Sequence, residues 1–186
     1  MGNVLFINAC VREGSRTREL AGHVLSKLGG EVQEVKLYGT ALPPLDPAGM
    51  AKRGEALRTG DFSDPVFALA RQLAAADTVV IAAPYWDLMF PAVLKSYLEA
   101  VTVNGLTFAY GENGIPRGLC RAKKLIYVTT AGGPIVHDFG YGYVSALAKA
   151  FYGIGEVACV RAEGLDIRGA DVQGIMDLAK ASFLSE

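Results

Sequence analysis

Residues 78–91 read Thr78-Val79-Val80-Ile81-Ala82-Ala83-Pro84-Tyr85-Trp86-Asp87-Leu88-Met89-Phe90-Pro91. The first six make a short apolar run rich in β-branched side chains, the pattern of a strand buried on both faces. Pro91 then opens a segment with helical spacing, in which Val93, Leu94, Tyr97 and Leu98 share one face. Similar strand runs recur at Val4 to Ile7, Val32 to Leu37, Leu125 to Thr130 and Val157 to Ala162. Helical periodicity lies between them, at Leu20, Val24 and Leu28, at Val66, Leu69 and Leu73, at Leu147 and Phe151, and at Ile175, Leu178 and Phe183. Ser63-Asp64-Pro65 marks a helix start, with a capping side chain before a proline. Parallel strands need crossover connections, and here those connections are helical, so the alternation predicts an α/β fold. The expected architecture is a three-layer, doubly wound, five-stranded parallel sheet in the order 2-1-3-4-5. Ligands in such sheets sit beyond the carboxyl ends of the strands where the order reverses, which directs attention to the loops after strands one, three and four.

The 186 residues suit one domain spanning 1–186, with no repeat, low-complexity tract or linker to divide it. Two long connections, Gly39 to Phe62 and Asn104 to Lys123, exceed what a turn requires and read as insertions over a ligand or a subunit interface. A formal net charge of −1 offers no field for nucleic acid or an anionic membrane, which leaves a small molecule or a second copy of the chain as partner. Cys10, Cys120 and Cys159 are too few and too scattered for a disulfide framework or a zinc site. The first residues lack the pattern of a secretory signal, and no apolar run has the length to span a bilayer, so a cytoplasmic protein is expected.

After strand one the chain reads Asn8-Ala9-Cys10-Val11-Arg12-Glu13-Gly14-Ser15-Arg16-Thr17. A helix N-terminus with hydroxyls at Ser15 and Thr17, and with Arg12 and Arg16 beside them, suits a phosphate; the same hydroxyls also suit simple helix capping. This is neither a Walker loop nor a Gly-x-Gly-x-x-Gly fingerprint. After strand three, Tyr85 and Trp86 supply a flat apolar wall for a planar heterocycle, or else a plug or dimer contact. After strand four, Thr130-Ala131-Gly132-Gly133 lets the backbone approach a ligand edge, or forms an ordinary turn before Pro134. The three features fall around the one expected cleft.

The stretch Pro84 to Leu98, with Pro91, Leu94, Lys95 and Tyr97, resembles the FMN-dependent NADH-azoreductases and NAD(P)H:quinone reductases, which have a flavodoxin-like fold. Gly105 to Phe108, Tyr110, Gly118-Leu119, Lys123-Lys124, Thr129 to Gly133, Leu42 to Asp46 and Arg161 to Leu165 follow the same family's order. The resemblance implies an FMN-containing homodimer that oxidises NADH or NADPH and reduces quinones or azo compounds in two alternating half-reactions, with flavin N5 carrying the hydride. Carried over by position, it puts Cys10, Ser15, Arg16 and Thr17 at the phosphate, Pro84, Tyr85, Trp86, Asp87 and Leu88 at the ring, and Thr130, Ala131, Gly132 and Gly133 at its pyrimidine edge. Cys10 stands where serine is common, Asp87 where asparagine is common and Ala131 where arginine is frequent.

No metal and no catalytic side chain is expected. His137 is the only candidate proton donor, and a loop histidine is also an ordinary surface residue. Cys10 reads as a redox thiol at a helix N-terminus or as a small residue that fits the loop. Lys95 and Lys124 read as nucleotide-phosphate partners or as solvated surface. The competing functions are a flavin reductase for other electrophiles, a flavodoxin-like electron carrier or interaction protein, and a sheet domain without cofactor.

Overall fold

The computed structural model describes residues 2–42 and 45–183. In chain order the elements are β1 (Asn3–Asn8), α1 (Arg16–Leu28), β2 (Glu31–Lys36), α2 (Pro47–Thr59), α3 (Ala68–Ala75), β3 (Thr78–Ala82), α4 (Ala92–Val101), β4 (Phe108–Tyr110), β5 (Pro116–Gly118), β6 (Lys124–Thr130), α5 (Phe139–Leu147), β7 (Glu156–Ala162) and α6 (Val172–Ser182). Five strands form one sheet in the order β2-β1-β3-β6-β7, parallel at every step. This is the expected 2-1-3-4-5 order, since β4 and β5 pair only with each other as an antiparallel hairpin.

Strand alternation divides the core into two layers. Val4 and Phe6 of β1, Val80 and Ala82 of β3, and Ile126 and Val128 of β6 face one side, where Leu20 and Val24 of α1 and Met176 of α6 cover them. Leu5, Ile7, Val79, Ile81, Leu125 and Tyr127 face the other, against Leu73 of α3, Leu94, Tyr97 and Val101 of α4, and Val144 of α5. Five buried residues on α4, the larger ones contributing roughly 1.5–3 kcal/mol each, explain why it forms after Pro91 without a side-chain cap.

Three local expectations differ from the structure. The connection 39–62 holds α2, a helix with no apolar period: Asp46 caps it by accepting from Gly49 N–H, Pro47 opens it, and Gly60 ends it at φ 73°. Its hold on the body comes from Ala56 and from Arg53, which donates to the carbonyls of Glu99, Ala100 and Thr102 at the end of α4. The Leu42–Asp46 stretch falls partly outside the described residues, at Pro43 and Pro44. On α6 the buried residues are Met176 and Ala179, with Ile175 packed beside them and Phe183 buried just past the helix end, while Leu178 is 75 % exposed, so of the expected face Ile175, Leu178 and Phe183 only the middle residue points outward. After α5 the backbone continues as a π-turn over Ala148–Tyr152, and this shifts the buried face to Val144, Ala148 and Tyr152, with Leu147 and Phe151 at its margin.

Candidate functional site

The first loop is built on Asn8, buried at the end of β1. Its side-chain oxygen accepts from Cys10 N–H at 2.9 Å and its amide donates to Glu34 at 2.8 Å, which turns the chain out of the strand. Ala9 N–H donates to the Ala82 carbonyl, fastening this turn to β3. Ser15 is the N-cap of α1 and accepts from Arg18 N–H at 3.3 Å. Thr17, 1 % exposed, shares a 2.7 Å hydroxyl–hydroxyl hydrogen bond with Thr130, 9 % exposed, so α1 and the end of β6 meet through two buried hydroxyls. One hydroxyl donates within the pair; the other keeps its hydrogen for a further acceptor. Arg16 reaches across the opening and donates through Nη1 to Asp166 Oδ1 at 2.8 Å and to the Leu165 carbonyl at 3.2 Å.

The second loop leaves β3 with Ala83 N–H on Val128 and Tyr85 N–H on Thr130, and so runs on beside β6. Trp86 and Met89 then bond each other in both directions across Asp87 and Leu88, whose φ values of 50° and 69° give a tight turn of the I′ kind. Non-glycine residues held at positive φ store strain, and the turn keeps Trp86 at the cleft. Tyr85 donates its hydroxyl to the His137 carbonyl at 3.1 Å and so ties this loop to the third.

The third loop, Thr130 to Gly133, is closed by the segment after β7. Leu165 N–H donates to Ala131, Asp166 N–H to Gly132 and Gly164 N–H to Gly133. Among these loops lies a cavity of about 360 Å³, within the usual range for small-molecule sites. One end is formed by Arg12, Gly14, Ser15, Arg16 and Thr17, one wall by Pro84, Tyr85 and Trp86, and the opposite edge by Thr130, Ala131 and Gly132.

Nine of the thirteen predicted cofactor residues therefore share one cavity. Cys10, Asp87, Leu88 and Gly133 do not line it: Cys10 turns its thiol to the Ala82 carbonyl, and Asp87 and Leu88 are exposed in the turn. Burial pushes the Cys10 thiol upward, against the opposing pull of a Ser15 hydrogen bond and the Arg18 charge, which favours the small-residue reading over a thiolate. His137 is exposed outside the cavity, stacked on Phe139 with ring centroids 5.3 Å apart. Lys95 pairs with Glu99, and Lys124 pairs with Glu156 at 2.7 Å, so both sit in surface ion pairs.

Val11, Gly14, Leu165 and Asp166 also line the cavity and were not predicted. The loop after the fifth strand carries no glycine pair, hydroxyl cluster or aromatic run. Its contribution comes from the backbone bonds that fold it onto the third loop, which sequence does not display.

A family model described as a flavodoxin-like fold matches residues 2–185. A protein of Clostridium acetobutylicum, "FMN-dependent NADH:quinone oxidoreductase 2", is 40 % identical over 95 % of this chain and 93 % of its own. One of Lachnoclostridium phytofermentans, "FMN-dependent NADH:quinone oxidoreductase", is 33 % identical over 93 % and 91 %. Among solved structures, an azoreductase from Bacillus anthracis superposes with a TM-score of 0.82 at 26 % identity, covering 98 % of this chain and 96 % of that one.

Proposed function

The chain belongs to the flavodoxin-like family and, within it, to the FMN-dependent NADH:quinone oxidoreductases, and on that premise we propose that its cavity holds FMN and couples oxidation of NAD(P)H to two-electron reduction of quinones or azo compounds. The observation that carries this reading is the joining, in one cavity, of a helix N-terminus with arginine and paired hydroxyls to an aromatic wall and a close-approach backbone edge. The donor set fits a phosphorylated flavin. The free N–H groups in the first turn of α1, Arg16 and the Thr17–Thr130 pair suit a terminal phosphate. Tyr85 and Trp86 suit a planar ring, and the Ala131–Gly132 backbone its polar edge. A bound FMN supplies hydride transfer in both directions, which is chemistry no side chain here provides.

The chain's own residues bind and orient. Tyr85, Trp86 and the strained Asp87-Leu88 turn shape one side, while Thr130 to Gly132 fix the other. No side chain in the cavity is assigned a proton, and His137 lies outside it. The loop after β1 lacks the glycine fingerprint that accommodates a dinucleotide pyrophosphate, which supports FMN over FAD. Donor and acceptor are read as using one face in turn, in a single FMN-binding domain that works as a cytoplasmic homodimer.

The test is steady-state kinetics with NADH or NADPH and a benzoquinone, with heat-released cofactor identified by chromatography. Parallel double-reciprocal lines and stoichiometric FMN are expected. Intersecting lines would contradict the alternating scheme, and FAD would contradict the phosphate-loop reading.

A further inference from the structure

The mouth of the cavity carries an ion pair between Arg16, already read as a phosphate partner, and Asp166, to which the oxidoreductase reading gives no role. Arg16 comes from the start of α1, after β1, and Asp166 from the loop after β7, so their 2.8 Å contact joins opposite rims. Arg16 and Asp166 side chains are 41 % and 70 % exposed, and an exposed pair of this kind adds little to fold stability. Yet Asp166 is firmly located. Its N–H donates to the Gly132 carbonyl at 2.9 Å, and its carboxylate lies against Gly132 Cα, where a Cβ would collide with Oδ2. Both hydrogens of Arg16 Nη1 are committed, to Asp166 and to the Leu165 carbonyl. The Nη2 and Nε hydrogens remain for another acceptor.

We propose that Asp166 is a positioning residue for the cofactor phosphate: it holds the Arg16 guanidinium across the phosphate end of the cavity, and Gly132 leaves the space in which it does so. The inference rests on the FMN reading above. A free arginine side chain must lose rotamer freedom when it grips a phosphate, whereas one already anchored has lost it before the ligand arrives. Guanidinium forks also bind best when their orientation is fixed. The carboxylate has an opposing effect, since it brings negative charge toward a phosphate. Pairing at 2.8 Å offsets that charge, and anchoring is the larger effect.

The test compares FMN with riboflavin, which lacks the phosphate, by fluorescence quenching on flavin-free protein. Wild type, Asp166→Asn, Asp166→Ser, Arg16→Ala and the double variant Asp166→Asn/Arg16→Ala are titrated. Both Asp166 variants should bind FMN about fivefold more weakly, with riboflavin affinity changed by less than about twofold, and the double variant should be no weaker than Arg16→Ala alone. FMN affinity that is unchanged or tighter in the Asp166 variants would overturn the proposal. Equal weakening of FMN and riboflavin would overturn it too, since that marks a general loss of loop structure. Wild-type protein that binds neither flavin would instead overturn the cofactor reading beneath it.

Discussion

Thr17 and Thr130 join the two halves of the site through one hydrogen bond between buried hydroxyls. A valine at 17 has nearly the same shape and removes the partner, leaving Thr130 Oγ1 buried and unpaired. Thr17→Val should therefore destabilise the fold by about 1–3 kcal/mol, read by urea denaturation, and lower FMN affinity in parallel. Unchanged stability would mean that water replaces the lost partner. The cysteines set a second residue-scale expectation. Burial raises the Cys120 and Cys159 thiols to about 12, while in the unfolded chain they ionise near the ordinary value of 9.0. The unfolded state thus releases these protons first. The thiols' stabilising contribution is complete below pH 9 and is lost as the pH climbs toward 12. Denaturation midpoints should fall between pH 8 and pH 10.5, and fall less in a Cys120→Ala variant measured against its own value at pH 8.

The hairpin of β4 and β5 packs on the body where Phe108 meets Phe151 edge-on and where Gly118 lies against the backbone of Tyr152 and Gly153 at the end of the π-turn. A Cβ there would run into Gly153 N, and no flexible side chain is available to move aside. Gly118→Ala should cost roughly 2–4 kcal/mol by equilibrium denaturation, whereas Gly142→Ala, inside α5 with open space around it, should be neutral or stabilising by up to about 1 kcal/mol. Elements of this kind also mark the limit of what the sequence displays. The inner strands β1, β3 and β6 are legible because each is a buried apolar run, while the edge strand β2, exposed except at Val35, shows only through its valines; helical crossovers make the strands parallel, and the order is the usual one for a doubly wound five-stranded sheet. The helix α2 is not legible, because its signals are caps and an arginine reaching another helix, and its sequence has no apolar stripe. Strands of three residues, as in β4 and β5, carry too little alternation to read. At the site, the residues on the loops after β1, β3 and β6 are legible from turn and helix-start chemistry. Asp166 is not, because its position depends on backbone bonds between two loops distant in sequence.

Trp86 and Leu88 of the turn at the cavity wall, and Val136 and Phe139 of the segment to which the Tyr85 hydroxyl ties that loop, are exposed apolar side chains. Large apolar side chains are costly to leave in water, and these suit a partner surface of the same chain. Light scattering should give twice the 19.7 kDa chain mass, and a fully active monomer would contradict the dimer. Among the described residues, no helix is long and apolar enough to cross a membrane. The central claim, that this cavity holds a flavin that exchanges electrons with a nicotinamide nucleotide, is tested most directly by the visible spectrum of the purified protein under anaerobic conditions. The expected result is a yellow protein, reconstituted with FMN where necessary, whose flavin absorbance bleaches on adding NADH or NADPH and returns on adding a quinone. A protein that stays colourless after incubation with excess FMN, or whose flavin neither nucleotide bleaches, would contradict it.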